Sequence, residues 1–269
     1  MHPLGPLALA LAFLTAPMRA DPPQVVPLPR AHAHNDYEHE RPLLDALGHG
    51  FCSVEADIWL VKGELLVGHT PFALKPERTL QKLYLDPLRA RVKANSGSVH
   101  PGGPAFYLLI DIKTDAKDTY SALAQVLEAY PDLLTRTKDG KIDTKAVTVV
   151  ISGNRDTKTI SDQKVRFAAL DGRPADLAGN APAHLVPWVS ESWKVLFKWD
   201  GTGPMPEGER KKLRELVAKA HKQGRKVRFW ATPEKVGVWK ELLAAGVDFV
   251  NTDRLAELEK FLRGAEEKK

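Results

Sequence analysis

The sequence predicts an α/β chain folded as a TIM (β/α)8 barrel. Eight strand-like runs recur with helix-like segments between most of them, the pattern of parallel strands joined by helical crossovers. Acidic residues fall in two of these runs near their C-terminal ends, where a barrel collects its functional side chains. The alternative, an open doubly wound sheet, lacks its usual phosphate loops. No Gly-x-Gly-x-x-Gly opens a helix after the first strand, and no Gly-x-x-x-x-Gly-Lys-Ser/Thr occurs.

The elements follow in order. Val25 to Ala31 is a weak first strand, interrupted by Pro27 and Pro29. Glu40 to Leu47 reads as helix, ended near Gly48 and Gly50. Cys52 to Leu60 is a strand, and Glu64 to Gly68 extends it after the Lys62-Gly63 turn. Thr79 to Val92 reads as helix broken or kinked at Pro87, which has no N–H to donate. Asn95 to Pro104 is a Gly/Pro/Ser-rich loop. Ala105 to Lys113 is the next strand, and Asp118 to Tyr130 an amphipathic helix with Leu123, Val126 and Leu127 on one stripe. Ala146 to Ser152, Val165 to Leu170 and His184 to Val189 are strands, with a short helix over Arg155 to Gln163. Ser190 to Pro206 is a loop carrying Trp193, Phe197 and Trp199. These aromatics either grip an acyl chain, meet a membrane, or close over the barrel mouth. Glu207 to Gln223 is the clearest helix, with Leu213, Leu216, Val217 and Ala220 on one face and Gly224 at its end. Lys226 to Ala231 is strand, Pro233 to Ala245 helix with proline at a tolerated early position, Val247 to Thr252 strand and Arg254 to Leu262 the closing helix.

Composition narrows the function classes. The lone cysteine, Cys52, excludes an intrachain disulfide framework and an all-cysteine metal site. The formal charge of +5 is dispersed, with no basic block interleaved with aromatics, so nucleic acid is not an expected partner. No protein partner is evident either. Leu7 to Leu14 is a short apolar run followed by Thr15-Ala16-Pro17-Met18-Arg19-Ala20. Residues 1–20 therefore read as a signal peptide, which makes the protein exported, periplasmic or extracellular. A plain N-terminal tail is the alternative. Residues 21–264 form the barrel domain and residues 265–269 a flexible tail.

The chemistry begins on the second strand. Side chains alternate faces along a strand, so Val54, Ala56, Ile58 and Leu60 point one way while Glu55, Asp57 and Trp59 point the other. Two carboxylates on one face repel each other and lose hydration. A hard divalent cation, Mg²⁺ or Ca²⁺, resolves both problems. A solvated strand face is the alternative. In Ala105 to Lys113 the same alternation sets Asp111 and Lys113 apart from Phe106, Leu108, Ile110 and Ile112. Asp111 is expected to complete a three-carboxylate site, with Lys113 toward a phosphate oxygen. A metal-free ion-pair network is the other reading. His32 and His69 follow the first strand and the extension of the second, placed to divide acid and base work. His34, Asn35 and Asp36 lie close enough to orient His32 or touch metal-bound water. His32-x-His34 with a later histidine also offers material for a zinc site, and with it ester or amide hydrolysis. Trp188 and Trp230 end expected strands and either line the substrate rim or pack the barrel. Arg155 offers a further phosphate contact or a surface charge.

With these residues in place, the chain resembles the PLC-like phosphodiesterase superfamily, in particular its glycerophosphodiester phosphodiesterase branch. AHAHNDYEHERPLLDALGHGFCSVEADIWLVKGELLVGH is similar to that branch's histidine motif, Glu-x-Asp strand and following histidine. This stretch and LYLDPL at 83–88 most resemble the Altered inheritance of mitochondria protein 6 group. LLIDIKT at 108–114 resembles the metal-aspartate strand of spider-venom sphingomyelinase D enzymes. FWATPE and GVDFVNTD resemble the last two barrel strands of glycerophosphodiesterases. The resemblance runs over about Val26 to Leu262.

It implies a TIM barrel hydrolysing a small phosphodiester or phospholipid with one Mg²⁺ or Ca²⁺. By resemblance, His32 and His69 are the acid/base pair, Glu55, Asp57 and Asp111 the metal ligands, and Lys113 lies beside the phosphate. Two departures stand out. His32-Ala33-His34 replaces the usual His-Arg-Gly and removes an expected arginine on the phosphate side. Tyr37-Glu38-His39-Glu40 is the nearest replacement for the common Glu-Asn-Thr. The resemblance leaves open whether an adjacent hydroxyl or water attacks phosphorus, and whether a metal-containing protein of this kind turns over or only binds a headgroup.

Overall fold

The computed structural model describes residues 25–266. The expected signal peptide lies outside the described residues. Eight parallel strands form the barrel wall: β1 (Leu28–Ala33), β2 (Phe51–Val61), β3 (Phe106–Ile112), β4 (Val147–Gly153), β5 (Ala168–Gly172), β6 (Trp188–Ser192), β7 (Lys226–Trp230) and β8 (Val250–Thr252). Their hydrogen-bonded order is β7-β6-β5-β4-β3-β2-β1-β8. A parallel bridge from Arg228 to Phe249 brings β7 to the segment entering β8 and nearly closes the ring. The strands' helical partners are α1 (Leu44–Gly48), α2 (Asp86–Ala94), α3 (Ala116–Glu128), α4 (Thr157–Asp162), α5 (Trp193–Leu196), α6 (Glu207–Lys222), α7 (Val236–Ala245) and α8 (Leu255–Glu266). Among the described residues, no helix is long and apolar enough to cross a membrane.

Alternation along the strands divides the apolar side chains into two layers. Val54, Ala56, Ile58, Leu108, Ile110, Ile112, Val149 and Ile151 face the helices in one continuous core. Leu109, Val150, Trp188 and Phe249, with Tyr107 against them, fill the barrel interior. This inner cluster is the dry floor beneath the strand ends that carry the polar side chains.

The structure moves several expected boundaries. β1 runs to Ala33 because residues 31–33 pair with β8 on one side and residues 32–33 with β2 on the other, so His32 lies inside the strand. β6 starts only at Trp188: Leu185 and Val186 donate backbone N–H groups to Pro182 O and turn the chain before it. Pro87 falls in the first turn of α2, and a π-helical turn at Gln81–Leu85 takes up the irregularity before it. The strand expected over Val165 to Leu170 is split: Ala168–Gly172 joins the barrel, while Val165–Arg166 pairs with Arg136–Lys138, itself paired with Lys141–Asp143, in an antiparallel side sheet that sequence reasoning missed. α8 continues to Glu266, into the segment expected as a flexible tail. Trp193, Phe197 and Trp199 are buried, and the first two pack on Phe229, so this loop does not present them to a membrane. Aromatic surface of that size gains more from burial under the neighbouring helices than from water.

Candidate active site at the strand ends

β2 and β3 are parallel neighbours in a register that sets Asp57 opposite Asp111. Glu55 lies two residues earlier on β2 and therefore on the same face. One ligand oxygen from each carboxylate lies within 4.8 Å of the others. Among the described residues this is the one group of three His, Cys, Asp or Glu side chains at ligand spacing, so His32 and His34 do not join a zinc cluster. Asp57 Oδ2 accepts from Tyr37 Oη at 2.6 Å and lies 3.1 Å from Lys113 Nζ. Its Oδ1 is buried with no partner. Lys113 Nζ also lies 3.0 Å from Asp111 Oδ1.

The electrostatics follow from that crowding. Burial, then the Glu55 charge, push the Asp57 carboxyl up to about 6. Burial also raises Asp111, against the pull of Lys113. Glu55 is just as buried, and burial is the largest single influence on it, but the Arg228 guanidinium together with His32 and His34 outweighs that cost and holds its carboxyl well below the usual range. Three converging acids, two of them reluctant to ionise, and one unpartnered buried oxygen fit a hard divalent cation such as Mg²⁺ or Ca²⁺.

The two expected acid/base histidines stand in opposite surroundings. His32 is fully buried. Arg228 Nη1 donates to its Nε2 at 2.7 Å, so the imidazole proton resides on Nδ1 and points to Ser53 Oγ at 2.7 Å. Burial and then Arg228 push its pKa down to about 4, leaving a neutral ring at pH 7. The His69 side chain is 59% exposed and stacks on Tyr37, with Nδ1 at 3.1 Å from Tyr37 Oη and 3.4 Å from Asp57 Oδ2. Its Nε2 is the nitrogen left for proton transfer.

His34 and Asn35 fold back on Asp253 from the segment after β8, at 2.8 and 3.4 Å. Burial most strongly opposes a charged His34, but the Asp253 hydrogen bond and the Glu55 and Asp253 charges together outweigh it and raise the pKa. Asp36 does not orient a histidine. It turns into the outer core beside α1, where Leu43 N and Tyr84 Oη donate to it at 2.6 and 2.9 Å. The left-handed backbone of Asn35, with φ of 47°, sends residues 35 and 36 in different directions.

Across the mouth, Asp171 on β5 is buried and accepts from Ser190 Oγ at 2.5 Å, Ser152 Oγ at 2.7 Å and Arg173 Nη1 at 2.8 Å. Arg155 reaches the Asp171 backbone carbonyl. Trp230, at the end of β7, stands on this side of the rim, while Trp188 is fully buried at the start of β6. Trp188 therefore packs the barrel. It stacks edge-on against Phe249 at 4.6 Å and lies 6.1 Å from the His32 ring, which it helps to keep dry.

Gly153 ends β4 with φ of +68°, and a Cβ there would come within 2.2 Å of Asp111 Oδ1. Gly153→Ala is expected to displace that carboxylate and the Ile112 backbone, whose O and N would stand 2.5 and 2.8 Å from the new Cβ. It should weaken divalent binding by about ten-fold, with a stability cost larger than the roughly 1 kcal/mol of the strained φ alone. Metal titration beside chemical denaturation checks both.

Tyr37, Ser53, Arg228 and Asp253 were missed by sequence reasoning. Arg228 had a signal: in Lys226–Trp230 it shares an alternation with Trp230, opposite Val227 and Phe229. In place of the arginine that Ala33 omits, a guanidinium reaches His32 from β7, two strands away around the nearly closed ring.

Residues 22–171 match the AIM6-like phosphodiesterase domain, and residues 226–256 match the glycerophosphoryl diester phosphodiesterase family. Altered inheritance of mitochondria protein 6 of Eremothecium gossypii is 33% identical over 87% of this chain and 69% of its own length. A homologue from Arthroderma benhamiae is 29% identical over 85% and 82%. Among solved structures, a glycerophosphodiester phosphodiesterase from Parabacteroides distasonis superposes with a TM-score of 0.53 at 14% identity, covering 90% of this chain and 99% of that one. A calcium-dependent phosphoinositol-specific phospholipase C from a Pseudomonas species gives 0.52 at 15% identity, over 87% and 93%. Identities this low establish the shared barrel fold alone. The match over more than half of the chain and the fungal relatives together establish the family: this chain belongs to the AIM6-like phosphodiesterase domain family, within the PLC-like phosphodiesterase superfamily.

Proposed function

We propose that this protein is a divalent-metal-dependent phosphoric diester hydrolase acting on a glycerophosphodiester or phospholipid. The observation that carries the reading is the convergence of Glu55, Asp57 and Asp111 within 4.8 Å at the ends of neighbouring strands. These residues would hold one Mg²⁺ or Ca²⁺, which supplies charge stabilisation to the phosphate oxygens. Lys113, already between Asp57 and Asp111, adds a cation on the same side.

His32 is held neutral, with a lone pair on Nε2 that now receives the Arg228 proton. An incoming phosphate competes for that guanidinium and frees the lone pair to take a proton from the attacking hydroxyl or water. His69, set at the open edge by Tyr37, delivers a proton to the leaving oxygen. Phe72 is 99% exposed on the turn just after His69, which supports a lipid-bearing substrate.

His69→Ala is expected to lower turnover about a hundred-fold or more while divalent affinity stays within about two-fold of the parent. A chromogenic phosphodiester assay with added Mg²⁺ or Ca²⁺, beside a metal titration, checks this. Near-normal turnover would remove His69 from the mechanism. The second reading is a metal-containing headgroup-binding protein without turnover, favoured by the Arg228 hydrogen bond that engages His32 Nε2. The same assay separates the two: saturable diester binding with no hydrolysis supports the second.

A further inference from the structure

The half of the mouth that faces the carboxylates is lined with arginine. Arg155 follows β4, Arg173 follows β5 and Arg228 lies in β7. The Arg173 and Arg228 guanidinium carbons stand 5.0 and 5.9 Å from the centre of the Trp230 ring. Asp171 is already saturated, with Oδ1 on Ser190 and Oδ2 on Ser152 and Arg173. Arg155 meets only the Asp171 carbonyl, a neutral acceptor, and no carboxylate pairs with it among the described residues. The Nε groups of Arg155 and Arg228 are buried and have no hydrogen-bond partner. Buried N–H groups without acceptors are costly, and a bound oxyanion would satisfy them. An open cleft of about 720 Å³ runs from Lys113 and Asp115 past Gly153 and Asn154 to Arg155, so one side of that arginine is reached from outside.

The ion pairs single out the same residue. Lys113 sits on Asp57 and Asp111, Arg173 on Asp171 and Arg228 on Glu55. Arg155 is the cation of this group with no carboxylate at ion-pair distance among the described residues. The nearby Asp176 carboxylate is taken up by the Arg173 backbone N–H, and that of Asp115 by the Asp118 N–H.

We infer that the substrate carries a second oxyanion, such as a phosphomonoester, on one of its alcohols, and that Arg155 and Arg173 beside Trp230 receive it. This rests on the phosphodiesterase reading above. The same arrangement disfavours a quaternary ammonium headgroup: an aromatic face suits such a cation, but Trp230 already has two guanidinium neighbours that would repel it.

The test is equilibrium binding of a matched pair to the full chain loaded with Ca²⁺, at fixed ionic strength. Glycerophosphoinositol and its 4-phosphate differ by one phosphomonoester, and glycerophosphocholine supplies the cationic contrast. The 4-phosphate is expected to bind at least about ten-fold more tightly than its parent, the scale of a charge-assisted contact, with the choline diester weakest. Arg155→Ala is expected to bring the ratio below about three-fold. Arg173→Lys, which keeps a cation beside Asp171 but loses the planar fork, lowers it less. Equal affinity for the pair, a ratio unchanged in both variants, or tightest binding of the choline diester would overturn the inference. Hydrolysis measured on the same compounds separates the two claims. Turnover without a binding preference removes the second-anion site alone, while a preference without turnover removes the phosphodiesterase reading and leaves the site. Repeating the pair as phosphatidylinositol and its 4-phosphate in phosphatidylcholine vesicles assigns the source: a ratio kept on vesicles supports a membrane headgroup, and one kept only in solution supports a free diester.

Discussion

Asp57→Asn is expected to abolish divalent-dependent turnover, by about a thousand-fold or more, and yet to stabilise the metal-free protein at pH 8. Asp57 is nearly inaccessible, lies beside two other carboxylates and has one oxygen with no partner. Its carboxyl is raised from 3.8 to about 6 by burial first and Glu55 second. A group raised in this way contributes stability below its unfolded value, near 4, and that contribution is lost as pH rises through about 6. Asparagine keeps the acceptor for Tyr37 and loses the Lys113 ion pair, so the net gain at pH 8 is about 1–2 kcal/mol. At pH 4.5 the two proteins should be nearly equal. Denaturant unfolding with a chelator present, at both pH values, reads this directly. A variant markedly less stable than its parent at pH 8 would mean that Asp57 is held by its cationic neighbours and not poised for a metal.

Arg228→Met should show the opposite balance. Methionine preserves apolar bulk, but Glu55 and His32 lose the guanidinium that lies 2.8 and 2.7 Å from them. Stripping one partner from a buried pair costs about 3–5 kcal/mol, because the remaining charge has no compensation. In the parent, the depressed Glu55 carboxyl stabilises the fold above its unfolded value of 4.5, and that stability is lost as pH falls toward the lower folded value. The deficit of the variant should therefore be greatest at neutral pH and shrink on acidification. Mg²⁺ should raise the melting temperature of Arg228→Met more than that of the parent, since the ion gives Glu55 a new positive neighbour. Thermal melts across pH 4–8, with and without Mg²⁺, check both parts. A loss independent of pH and metal would reduce Arg228 to packing.

What could be read from the chain beforehand was whatever alternation alone decides. Glu55-x-Asp57 and Asp111-x-Lys113 declare their shared face through the apolar residues between them, and the barrel supplies the common end. The register that sets Asp57 against Asp111 depends on how two strands slide past each other, which neither strand encodes. The same limit hid Arg228, whose partners lie 173 and 196 residues away. Trp188 was misplaced because a turn anchored on Pro182 delays β6, which puts the tryptophan at the floor and not the rim. The missed side sheet did carry a local signal. Asp139 and Gly140 both have positive φ, 47° and 77°, the two-residue Asp-Gly turn that links its first two strands.

One cation shared by three carboxylates from two strands has a crystallographic signature. Crystals soaked in Mn²⁺, which takes the same oxygen donors as Mg²⁺ and Ca²⁺, test it most directly through anomalous scattering. A single strong peak is expected at the barrel mouth, with oxygens of Glu55, Asp57 and Asp111 at about 2–2.6 Å. A peak elsewhere, or a mouth that stays empty while Glu55 remains paired with Arg228, would contradict it.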